Sequence, residues 1–214
     1  SATTVPGAII LDVAPRQLTW TGAGTMAQAW SDAGNWDGTH TPDDSSGPYE
    51  LIFPATAVDY TSNNDIGADF NVHSIVINSA TPYNIVNSGG GILTFDGVGT
   101  DSGVALSVLQ GTHSVGGLQM AWSVQNQTIT VAAGGLTLDA SIANGAFLTT
   151  LNTAVDTTFS GVLGVGASPT GGLTKLGAGN LTLTGFNLYT GINTLSAGLV
   201  SVSATNNLGG TSGA

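Results

Sequence analysis

The chain has 214 residues, of which 7% are charged and 32 are glycine, and its two cations against 13 acids leave a net charge of −11. An ordinary domain carries about 25% charged residues, so long amphipathic helices lack polar faces here and a helical bundle is excluded. Two cations cannot form a nucleic-acid patch or a polybasic membrane contact, the absence of cysteine removes disulfides and thiolate chemistry, and no run approaches the roughly 18 apolar residues of a spanning helix.

The chain opens Ser1-Ala2-Thr3-Thr4, without methionine or a charged-then-apolar leader, which reads as a processed or engineered start. Residues 1–70 form a first segment, rich in tryptophan and aspartate, that holds Trp20, Trp30 and Trp36. A cap over the end of a β-helix is the expected role of these rings, because such an end exposes apolar core and unpaired strand edges. The alternative is a glycan-binding face, with Trp30, Trp36 and Asp37 as candidate ligand contacts. The run Asp37-Gly38-Thr39-His40-Thr41-Pro42-Asp43-Asp44 concentrates oxygen donors. It makes Asp37, Asp43 and Asp44 candidate ligands for a structural calcium, although the EF-hand order is absent and surface-loop acids explain the run equally well.

From residue 71 to 214 the pattern changes to short alternating runs, at 74–77, 92–95, 128–131, 136–139, 181–184 and 199–203. Period-two alternation with β-branched enrichment predicts half-buried strands and an all-β fold. Paired glycines at 116–117, 134–135, 171–172 and 209–210 recur at multiples of roughly 18 to 19 residues, as in a three-sided solenoid. A hairpin sandwich is the rival, but Asp37-Gly38, Asp96-Gly97 and Asn144-Gly145 are few for its turns. His73 and His113 fall at expected coil corners, and Trp122 is expected inside a coil.

The stretch Gly171-Gly172-Leu173-Thr174-Lys175-Leu176-Gly177-Ala178-Gly179-Asn180-Leu181-Thr182-Leu183-Thr184-Gly185 is followed by Asn187-Leu188-Tyr189-Thr190-Gly191 and Gly198-Leu199-Val200-Ser201-Val202. Over 171–202 this resembles the autotransporter-associated β-strand repeat, also called the passenger-associated transport repeat. The segment from Leu18 to Trp36 is similar to one that often precedes such repeats. The resemblance implies a right-handed parallel β-helix with an N-terminal Trp-rich capping segment, in a large exported bacterial surface protein. It also implies a membrane β-barrel downstream, whereas 206–214 lacks the pattern of barrel strands. The expectation is a chain cut from something longer, or one that leaves the cell by another route. Leu181, Leu183, Leu195, Val200 and Val202 are expected to stack on adjoining coils. Lys175 is expected to be a solvated surface charge, and Tyr189 to stack on its counterpart in the next coil.

Catalytic supply is poor. There is no Gly-x-Ser-x-Gly elbow and no paired-histidine zinc spacing. A lyase acting on an anionic polymer needs a basic residue, and only Arg16 and Lys175 exist. The reading is therefore a non-enzymatic, secreted or cell-surface structural protein: a stalk or a filament or surface-layer subunit that self-associates through β-helix ends or edges. The alternative is an adhesin that holds surface glycans on the Trp/Asp segment. No catalytic residue, metal or cofactor is expected beyond the calcium already named, and no nucleic acid or membrane insertion.

Overall fold

A ladder of aliphatic side chains runs down the inside of the molecule: Leu18, Leu51, Ile75, Leu106, Ile129 and Leu151 lie directly over one another in successive parallel strands. Each is buried, and full burial of such a side chain contributes about 1.5–3 kcal/mol. The computed structural model describes residues 2–5, 8–11, 15–38, 40–96 and 103–210. The turn at Asp96-Gly97 and the tail 211–214 therefore lie wholly or partly outside the described residues.

The architecture is all-β, a parallel β-solenoid of about six turns. The only helical elements among the described residues are two short 3-10 turns, Ala33–Asn35 and Thr205–Leu208. A first face stacks Arg16–Thr19, Tyr49–Pro54, the later half of Phe70–Asn78, Val104–Gln110, Gln127–Val131, Thr149–Thr153, Leu173–Leu176 and Asn193–Leu195. A second stacks Thr61–Asn64, Asn84–Asn87, the starts of Thr112–Trp122 and Gly135–Ala143, then Thr157–Phe159, Asn180–Leu183 and Leu199–Val202. The third is shorter and joins 70–72, Ile92–Phe95, 119–122, 141–143 and Val162–Leu163. Ala2–Val5 and Ala8–Leu11 form a separate antiparallel pair.

Three expectations change. The parallel stack begins upstream of residue 71, since Tyr49–Pro54 already pairs with both Arg16–Thr19 and Phe70–Asn78. The coil is also longer than 18 to 19 residues: equivalent positions fall at 106, 129, 151, 175 and 195. The glycine pairs misled because they mark different corners. Gly135 lies level with Thr112, while Gly116 lies level with Asp139. Where a corner does demand glycine, the reason is close approach between coils. A Cβ on Gly185 would lie 1.7 Å from the Gly161 carbonyl oxygen.

Lys175 is the third change. It occupies the next rung of the aliphatic ladder, between Leu151 and Leu195, and is only 1% exposed. It is not a solvated surface charge. Its stem fills the core while Nζ turns to the corner and donates to the carbonyls of Leu176 (2.5 Å), Gly177 (2.7 Å) and Ala197 (3.4 Å). An ammonium has three donors and no acceptor, so this set satisfies it.

Candidate functional site

The three tryptophans of the first segment form one plug. Trp36 meets Trp20 and Trp30 edge-on, with centroids 5.2 and 5.8 Å apart. All three rings rest on Phe53 at 6.0–6.1 Å, and Phe53 in turn meets Tyr83 at 5.4 Å. Such edge-to-face pairs add about 0.5–1.5 kcal/mol beyond burial. Each indole N–H has a partner: Trp20 donates to the Asp59 carbonyl, Trp30 to the Ser62 hydroxyl and Trp36 to the Trp30 carbonyl. Trp30 and Trp36 are 0% and 3% exposed. Protein occupies their faces, so a sugar would have to displace the plug to stack on them.

The acids beside the plug hold backbone together. Asp37 is exposed and accepts from the Thr19 N–H at 3.0 Å. Asp32 closes its loop by accepting from the N–H groups of Met26 and Gly34, which hold its carboxyl below the usual range. For Asp44, burial pushes the carboxyl up. Hydrogen bonds from the Ser46 N–H, the Tyr49 hydroxyl and His40 outweigh that and bring it down. Asp43 is exposed and stands apart from this cluster's hydrogen bonds. Among the described residues no three His, Asp or Glu side chains converge as a metal cluster.

The inner histidines are structural. His113 lies within a strand, level with buried Leu136, rather than at a coil corner; it accepts from the Tyr83 N–H at Nδ1 and donates from Nε2 to the Gln110 carbonyl. Burial lowers its pKa, so it is neutral at neutral pH. His73 lies at a corner within Phe70–Asn78, with Nδ1 3.8 Å from Asp96. Trp122 is buried, as expected, and donates to the Thr149 hydroxyl. Tyr189 is fully buried and bonds Asn193, but its neighbour in the next coil is Gly209 rather than a second tyrosine.

The opposite end of the solenoid has no comparable plug among the described residues. Val200 and Val202 lie over Leu181 and Leu183, and Leu195 lies over Lys175. Leu195 is nevertheless 54% exposed, and Val202 and Leu208 are exposed beside it. With Leu173, Lys175 and Asn193 they line an apolar hollow of about 230 Å³. The sequence pattern pointed to Leu195, Val200 and Val202 as stacking on adjoining coils, but whether a further coil covers them depends on the fold.

No family model matches the chain, and no solved structure matches it. Among curated proteins it is similar to the adhesin BmaC autotransporter of Brucella suis biovar 1 (strain 1330), with 37% identity over 121 residues. That alignment covers 46% of this chain and 4% of that protein, so the chain spans a small part of the relative's length. No helix among the described residues is long and apolar enough to cross a membrane. A distant, partial likeness to an autotransporter adhesin, on a parallel β-solenoid, fits a surface adhesin or a structural role.

Proposed function

We propose that the chain is a non-enzymatic, extracellular structural element of a bacterial surface protein, a β-helical stalk that self-associates through β-helix ends or edges. The observation that carries this reading is that the inward rows reach Leu195 on the first face and Val202 on the second, which with Leu208 are exposed among the described residues. Exposed inward positions and unpaired strand edges form a template for another coil. Sedimentation and negative-stain microscopy at rising concentration test it. End-to-end pairs or rods are expected, and Leu195→Asp with Val202→Asp should abolish them. Monomers at every concentration would retire self-association.

An adhesin is the second reading, favoured by the name of the similar Brucella protein. The burial of Trp30 and Trp36 in the plug supports an adhesive surface elsewhere on the chain.

A further inference from the structure

From Thr112 onward the outer side of the second face carries one hydroxyl per coil: Ser114, Thr137, Thr158, Thr182 and Ser201 stand level in successive parallel strands. Strands in a sheet lie about 4.8 Å apart, so the row is a regular track parallel to the solenoid axis. Leu136, Leu138, Leu181 and Leu183 on the same strands point inward and are buried, which fixes the track rigidly. Beside the row lie Gly135, Asp156, Asn180 and Leu199. With Thr137, Thr158, Thr182 and Ser201 they border a hollow of about 480 Å³, within the roughly 300–1,000 Å³ usual for ligand sites. The hollow spans the coils from Thr112 to Leu199, four strand spacings or about 19 Å.

The concavity is built in at the corner. Gly134 adopts φ +84°, and a Cβ there would lie 1.7 Å from the Gly111 carbonyl oxygen, so no side chain can fill that edge. On the floor, Asp156 accepts from the Asn180 N–H at 3.1 Å. The hydroxyls of Thr137, Thr158, Thr182 and Ser201 and the side-chain amide of Asn180 make no hydrogen bond within the protein. Leu199, 56% exposed, adds an apolar patch at the far end.

The chemistry selects the occupant. No cation lines the hollow; Lys175 is buried inside the coil, and Arg16 lies on the first strand of another face. A polyanion would therefore meet a carboxylate and a net charge of −11 with nothing to neutralise it. No aromatic ring lines it either, so a nucleobase has nothing to stack on. Hydroxyls both donate and accept, which suits the hydroxyls of a sugar, while Leu199 suits the C–H face of a pyranose. The strand spacing is close to the advance of one unit in an extended pyranose chain, so successive sugars meet successive coils.

We propose that this hollow on the second face binds an extended, neutral polysaccharide running along the solenoid axis. The proposal goes beyond the stalk reading and does not depend on it, because a chain can bind sugar without forming rods and form rods without binding sugar. Native affinity electrophoresis of the full chain tests it, with hydroxyethyl cellulose, glucomannan and arabinoxylan as neutral probes and polygalacturonate as the anionic one. At least one neutral polymer should retard the protein, and polygalacturonate should not. Thr158→Val with Thr182→Val keeps shape and strand preference and should weaken retardation about tenfold, at an unchanged melting temperature. The matching pair on the first face, Thr150→Val with Thr174→Val, should leave binding unchanged. Absence of retardation by every neutral polymer in wild type overturns the proposal. So does equal retardation by polygalacturonate, or equal loss from the two valine pairs.

Discussion

Lys175 illustrates how a single residue is decided by its partners. A lysine in an aliphatic ladder costs desolvation, and burial accordingly lowers its pKa. That cost is offset by the corner carbonyls of Leu176, Gly177 and Ala197, the last of which belongs to the next coil. Lys175→Met keeps the stem and removes the donors, and stability should fall by about 1–3 kcal/mol because buried acceptors lose their partner. Lys175→Ala also opens a cavity and should cost about 2 kcal/mol more. Urea denaturation of the two variants separates the terms, and a Met variant as stable as wild type would assign the residue's role to its stem alone.

The plug is the element that ends the solenoid, and its rings are held by packing rather than by a ligand. Trp30→Ala or Trp36→Ala should cost about 3–5 kcal/mol, measured by chemical denaturation; loss of sugar binding at unchanged stability would instead make them contacts. The loop beneath depends on Asp32, whose carboxyl is held below its ordinary 3.8 by the Met26 and Gly34 N–H groups. A depressed pKa means that the unfolded chain takes up its proton first. The stabilisation is therefore whole above pH 3.8 and is lost as pH falls through the folded value. Tryptophan fluorescence followed during acid titration should show the plug loosening below pH 3.8, and Asp32→Asn should weaken that dependence. The strands were legible in the sequence because alternation such as that of Leu181 and Leu183 has period two whatever the coil length. The coil length was not, since glycines at unlike corners imitate a shorter repeat. Nor was the outer hydroxyl track, because only register sets Thr137, Thr158 and Thr182 side by side. Trp30 and Trp36 were singled out by residue type, but their burial follows from Phe53, a residue from the next strand of the first face.

At the scale of the whole molecule, each coil touches only its neighbours, so stability is close to a sum of coil and interface contributions. The two ends are unequal. One is closed by Trp20, Trp30 and Trp36, and the other presents Leu195, Val202 and Leu208 to solvent. Opening should therefore begin at the exposed end, where one interface is missing, and proceed toward the middle. Amide hydrogen exchange read by mass spectrometry checks this directly. Asn193–Leu195 and Leu199–Val202 should exchange first, while Val104–Gln110 and Gln127–Val131 should exchange last, each being paired on both sides. Raising the protein concentration then separates end pairing from simple fraying. Stacking of a second copy on the last coil would slow exchange at 193–202 and leave 16–36 unchanged, because the plug is already closed. Concentration-independent exchange at 193–202 would mean that the last coil frays without a partner, and uniform exchange along the chain would overturn the nearest-neighbour account itself.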